Sequence, residues 1–138
     1  MSALVITGAT YEFKARLETE KAPKSCAAFL KMLPFQENLL HVRWSGEAMW
    51  VPLGELSLDV PSENATVYPL PGEILLYPGG VSETEILIPY GRTQFASKAG
   101  LLAGNHFMTI VEGAEALPAL GRLTLWEGAQ PILIKRAG

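Results

Sequence analysis

In the stretch KAPKSCAAFLKML, from Lys21 to Leu33, the residues Cys26, Phe29, Leu30 and Leu33 fall on one apolar stripe of helical period. Pro23 suits the first helical position, where its missing N–H and fixed φ cost nothing. Lys24 and Lys31 lie off the stripe, towards water. Pro34 ends the helix at or before Leu33. A short amphipathic helix of this kind must lay one face on a sheet, and the flanking sequence supplies one.

Tyr11, Phe13, Ala15 and Leu17 alternate with Glu12, Lys14, Arg16 and Glu18, the pattern of a half-buried strand. A strand over 3–7 precedes it across Gly8-Ala9-Thr10. A hairpin is predicted from Asn38 to Pro52 with a two-residue turn at Ser45-Gly46. Residues 53–73 read as a long surface connection, followed by strands over 74–77 and 85–88. Gly91–Asn105 reads as an irregular loop of the length that is often functional. A strand over 105–111, a short helix over 113–120 and closing strands over 123–126 and 132–135 complete the reading. About eight short strands with two short helices favour a closed, mainly antiparallel barrel.

The chain has 138 residues, enough for one domain spanning 1–138. Hydrophobic residues make up 49% and charged residues 18%, a globular rather than a disordered balance. The net charge is −3 and no more than two basic residues adjoin, which argues against a nucleic-acid partner. No apolar run reaches the ~18–20 residues of a membrane span, and no basic n-region precedes an apolar stretch at the amino terminus. The expectation is a cytoplasmic protein with no membrane partner. The lone cysteine, Cys26, reads as a small buried hydrophobe.

The two-residue turn sets expected neighbours. Trp44 would face Glu47, Val42 would face Met49 and Leu40 would face Val51, so Leu40, Val42, Trp44, Met49 and Val51 would meet the core. His41, Arg43, Ala48 and Trp50 would share the other face. An Arg, a His and an indole on one wall suit an anionic or amide-bearing ligand, through charge-assisted hydrogen bonds and stacking. A solvent-facing hairpin with Arg43 stacked on Trp50 is the alternative. His106 is a second candidate, able to donate near neutral pH, or else a hydrogen-bonded structural residue. No His-x-His and no Cys pair is present, so no metal or cofactor is expected. Ser97 lies in no nucleophile elbow.

The order of several short motifs resembles cyclophilins. Pro23-Lys24-Ser25 followed by Phe29 is similar to the start of their first helix. The segments Pro71–Gly80, Glu83–Ile88 and Asn105–Gly113 follow in the matching order. Tyr77-Pro78-Gly79, Tyr90–Thr93 and Ile110–Gly113 resemble a bacterial cyclophilin-like group of unknown function more closely still. The resemblance covers nearly the full chain and implies a closed cyclophilin-like β-barrel. It sets Arg43 and His106 at the positions of two pocket residues of the prolyl isomerases. Other pocket positions differ: Ile86-Leu87 replaces Phe-Phe, Glu85 replaces Gln, and Leu101-Leu102-Ala103 stands where a Trp precedes the pocket His.

Three functions follow as expectations. The first is a small-molecule cleft lined by Arg43, Trp50, Tyr77, Glu85, Tyr90, Phe95 and His106, with Glu47 as a further polar partner. Arg43, His106 and Glu47 are the catalytic candidates should chemistry accompany binding. The second is a peptidyl-prolyl cis-trans isomerase using Arg43. The third is a non-catalytic, oligomeric accessory subunit.

Overall fold

The computed structural model describes residues 3–137; the ends of the expected 1–138 domain, at Met1, Ser2 and Gly138, lie outside the described residues. The chain order is β1 (Ala3–Gly8), β2 (Tyr11–Leu17), α1 (Pro23–Leu30), β3 (Phe35–His41), β4 (Gly46–Gly54), β5 (Ala65–Thr66), β6 (Glu73–Tyr77), β7 (Thr84–Thr93), β8 (Ala96–Ser97), β9 (Gly100–Leu101), β10 (Gly104–Glu112), α2 (Leu117–Glu127) and β11 (Gln130–Arg136). One turn of 3₁₀ helix, Ala114–Ala116, leads into α2.

Eight strands run in the order β2-β1-β11-β3-β4-β7-β6-β10, and β10 returns to β2 to close the barrel. The pairings are antiparallel. Closure leaves no open edge in the barrel wall. β5 adds to one end of β10, and β8 pairs with β9 as a separate ribbon. This is the closed barrel with two short helices that the sequence pattern favours.

The alternation in β2 sends Phe13, Ala15 and Leu17 inwards, where they meet Leu4, Ile6, Met49, Val51, Ile86, Ile88 and Phe107. The two helices plug opposite mouths. α1 leaves the end of β2, which pairs with the start of β1. Its Phe29 packs on Phe35 and Phe107, with ring centroids 5.3 and 5.2 Å away. Cys26 is buried beside it, and its thiol donates to the Phe107 carbonyl at 3.3 Å. α2 reaches the other mouth, where Leu120 packs on Gly8 at the end of β1 so closely that a Cβ there would lie 2.7 Å from Leu120 Cδ2.

Two local expectations are corrected. The strand expected over 123–126 is the second half of α2, which runs unbroken from Leu117 to Glu127. Leu117, Leu120 and Thr124 are its buried face, and Gly121 lets the helix lie directly on the Tyr90 ring. The Gly91–Asn105 loop is also more regular than expected. β7 continues to Thr93, and β8 and β9 occupy much of the rest.

The β3–β4 hairpin departs from the two-residue turn. Leu40 pairs with Trp50 and His41 with Met49, one residue out of the expected register. The connection spans Val42–Ser45, and Gly46 opens β4 at φ +94°, where a Cβ would lie 2.7 Å from the Arg92 carbonyl oxygen. The slip moves β3 by one residue and so turns its side chains over. Leu40 and Val42 leave the core, and His41 turns inwards.

Candidate functional site

β4 has two faces of different character. Met49 and Val51 belong to the barrel core, whereas Ala48 and Trp50 join a second apolar cluster with Leu75, Tyr77, Leu87, Phe95, Leu102 and Val42. That cluster lies outside the barrel wall, under the β8–β9 ribbon. Phe95 is fully buried, and its ring meets Tyr77 edge-on at 5.7 Å. The Phe95 N–H donates to the Val67 carbonyl at 2.7 Å, and the Leu102 N–H donates to the Phe95 carbonyl at 3.0 Å. The ribbon is thereby fastened over the wall.

Where the ribbon stops, the wall is open. A cleft of about 620 Å³ runs there, lined by Leu40, Arg43, Trp44, Ser45, Trp50, Ser82, Glu83, Glu85, Ser97, Lys98, Thr124 and Leu125 among others. Trp50, half-buried, forms its floor with Leu40, its cross-strand partner. A cleft of this size, with an aromatic floor and polar and charged groups converging around it, is a form that small-ligand sites take.

Its two ends carry opposite charge. At one end Ser45, buried in the β3–β4 connection, ties that connection to the ribbon: its hydroxyl accepts from the Ala96 N–H and donates to the Ala96 carbonyl, both at 3.0 Å. This brings Arg43 and Lys98 to the same end. The ion pairs among the described residues, Lys14–Glu112 and Arg16–Glu18, engage neither of them. At the other end stands Glu85, in register with Pro52 of β4 and Tyr77 of β6. Glu85 is only 6% exposed, and no hydrogen bond among the described residues engages its carboxyl. Burial, with the nearby Glu83 charge adding to it, pushes this carboxyl up to about 8. Glu83 itself accepts from the Gly54 N–H at 3.2 Å.

Of the residues singled out from the sequence, Arg43, Trp50 and Glu85 meet in this cleft. Tyr77 and Phe95 are its buried backing. Tyr77 accepts from the Val81 N–H at 2.9 Å and so holds the turn that carries Ser82 and Glu83. Tyr90 faces α2 instead. Its hydroxyl lies 2.7 Å from His41 Nε2, while His41 Nδ1 donates to the Val42 carbonyl at 2.8 Å. A carbonyl only accepts, so in the neutral ring Nε2 takes the Tyr90 proton. Burial and the Glu47 charge push the Tyr90 hydroxyl up, partly offset by Arg122.

Glu47 accepts from the Arg92 N–H at 2.8 Å across the irregular start of β4. His106 does not join Arg43. It pairs with Leu75 on β10, with β6 and β7 between it and Trp50, roughly 14 Å away at about 4.8 Å per strand. Its Nε2 lies 2.7 Å from the Thr109 hydroxyl, which donates to Glu18 at 2.5 Å. Burial alone would push the Glu18 carboxyl up, but the Thr109 and Arg16 hydrogen bonds and the Arg16 charge hold it below its usual range. The set reads as a local network at the β2–β10 seam. Among the described residues, no group of three or more His, Cys, Asp or Glu is placed to hold a metal ion. No helix among them is long and apolar enough to cross a membrane.

Sequence reasoning missed Leu40, Trp44, Glu83 and Leu125 as cleft residues. Leu125 was hidden by reading α2 as a strand, although Leu117, Leu120 and Thr124 already repeat at helical spacing. Leu40 was hidden by the register.

A family model described as a protein of unknown function, DUF3830, matches residues 4–135. No curated protein matches the chain. Among solved structures, McbB in complex with tryptophan has a TM-score of 0.75 at 17% identity, over 98% of this chain and 45% of McbB. The chain therefore spans less than half of McbB's length. A hypothetical protein from Archaeoglobus fulgidus has a TM-score of 0.64 at 18% identity, with 99% and 95% covered. A cyclophilin-type peptidyl-prolyl cis-trans isomerase from Cryptosporidium parvum has a TM-score of 0.65 at 14% identity, with 99% and 98% covered. The fold is that of a cyclophilin-like barrel.

Proposed function

The chain belongs to the DUF3830 family, whose function is unknown, and we propose that it binds a small molecule in the cleft floored by Trp50. The observation that carries this reading is the meeting, in one cleft of about 620 Å³, of an aromatic floor with Arg43 and a buried Glu85, neither of which has an ion-pair or side-chain hydrogen-bond partner among the described residues. Arg43 offers a guanidinium to a carboxylate, phosphate or carbonyl. Trp50 and Leu40 take the apolar part of the ligand out of water. Glu85, its carboxyl pushed up to about 8 by burial, can donate a hydrogen bond or yield its proton to a cationic group. McbB, 45% of which this chain covers, has been solved in complex with tryptophan, which is in keeping with a small-ligand reading.

The test is a thermal-shift screen of small carboxylates, amides and amino acids against the full chain, repeated with Arg43→Ala and Trp50→Ala. The reading expects a compound that raises the melting temperature of the parent and loses that effect in both variants. A panel that shifts nothing, or a shift that survives both substitutions, overturns it. So does prolyl isomerase activity on X-Pro peptides that Arg43→Ala abolishes.

A further inference from the structure

Strand register measures the distance between the two charged ends of the cleft. Val42, next to Arg43, donates its N–H to the Ala48 carbonyl at 3.1 Å, so the cationic end stands level with Ala48. Glu85 stands level with Pro52 of the same strand. Ala48 to Pro52 is roughly 13 Å at a rise of about 3.3 Å per residue, and Trp50 lies midway. The side chains of Arg43 and Glu85 shorten the gap that a ligand must bridge to on the order of 10 Å.

Resting on the small-molecule reading, we propose that the cleft selects a linear zwitterion, with its ammonium group at Glu85 and Glu83, its carboxylate at Arg43 and Lys98, and its apolar middle on Trp50. Each charged end is open to a ligand. Arg43 and Lys98 have no carboxylate partner among the described residues. Glu85 is more than nine-tenths buried, and its carboxyl has no hydrogen-bond partner among the described residues. An α-amino acid holds its two charges on neighbouring atoms and reaches only one end. An extended tripeptide with free termini spans about 10 Å and reaches both. When its ammonium group seats, the positive charge favours ionised Glu85, and one proton leaves that carboxyl for the solvent.

The experiment is calorimetric titration of the full chain with Ala-Leu-Ala, its N-acetyl form, its C-terminal amide and free leucine. Buffers of different ionisation enthalpy report protons released. Free Ala-Leu-Ala binds best, and blocking either terminus weakens binding about ten-fold or more, as loss of a hydrogen bond to a charged group requires. Glu85→Gln erases the difference between free and acetylated peptide and the proton release. Arg43→Gln erases the difference between acid and amide. Glu83→Gln, at an exposed position where the fold is not at risk, tests the same end independently: it weakens the free peptide without touching the acetylated one.

Equal binding of free and acetylated peptide, unchanged in Glu85→Gln and Glu83→Gln, overturns the zwitterion assignment. If simple carboxylates still bind through Arg43 in that case, the small-molecule reading stands without it. If neither peptides nor the wider panel bind, both fall.

Discussion

Ser45 holds both polar groups of Ala96, 51 residues further along the chain, with two hydrogen bonds of 3.0 Å. This contact ties the four-residue connection between β3 and β4, which carries Arg43, to the segment that carries Lys98. Ser45→Ala leaves the Ala96 N–H and carbonyl without that partner, at a cost of about 1–3 kcal/mol. The expected outcome is faster hydrogen exchange at Ala96 and weaker anion binding, with the barrel core unchanged. Amide exchange followed by NMR checks it; unchanged exchange at Ala96 contradicts it.

Glu85 gives stability a definite pH dependence. Its carboxyl is pushed up to about 8 in the folded protein, against an ordinary value of 4.5 in the unfolded chain. Between those values the folded state keeps a proton that the unfolded state releases, so stability falls as pH rises through this window. Each unit of separation is worth about 1.4 kcal/mol as an upper bound. Glu85→Gln removes the term. It should match the parent near pH 4.5 and exceed it by on the order of a few kcal/mol near pH 8.5, as read from urea unfolding at both pH values.

Gly121 is buried in α2 against the Tyr90 ring, and a Cβ there would overlap the ring atoms. Helix propensity alone would make Gly121→Ala stabilising by nearly 1 kcal/mol. Overpacking opposes it by about 1–3 kcal/mol, because Tyr90 is also held by His41 at 2.7 Å. The expected result is a net loss of stability that Tyr90→Leu in the same chain partly relieves, measured by thermal melting.

His106 and Arg43 should separate functionally. His106 is bonded to Thr109 at the β2–β10 seam and lies off the cleft. His106→Ala should leave ligand affinity within about two-fold, whereas Arg43→Ala should lower it about ten-fold or more. Titration calorimetry on the two variants compares them directly.

Much of the barrel was legible because its rules are local. The alternation of β2 and the Pro23 start of α1 each follow from neighbouring residues, and both stand where the pattern put them. The second half of α2 was not legible. Leu123-Thr124-Leu125-Trp126 has the composition of a strand, and its helical state is settled by packing on Tyr90. The hairpin register failed for a similar reason. A two-residue turn is the common local solution, but the Ser45–Ala96 contact comes from far along the chain and lengthens the connection. That single shift brought Leu40 level with Trp50 in the cleft. Glu85 and Tyr90 part for a different reason: they stand an odd number of residues apart on β7 and so take opposite faces of the wall.

The central claim, a ligand site on the outer wall at Trp50, is most directly tested by NMR titration of the ¹⁵N-labelled protein with Ala-Leu-Ala and the small-molecule panel. The account predicts saturable shifts of the Trp44 and Trp50 indole N–H signals and of the Arg43, Ser97 and Lys98 amides, with His106 and Thr109 unmoved. Shifts centred on His106, Thr109 and Glu18, or no shift with any compound, would contradict it.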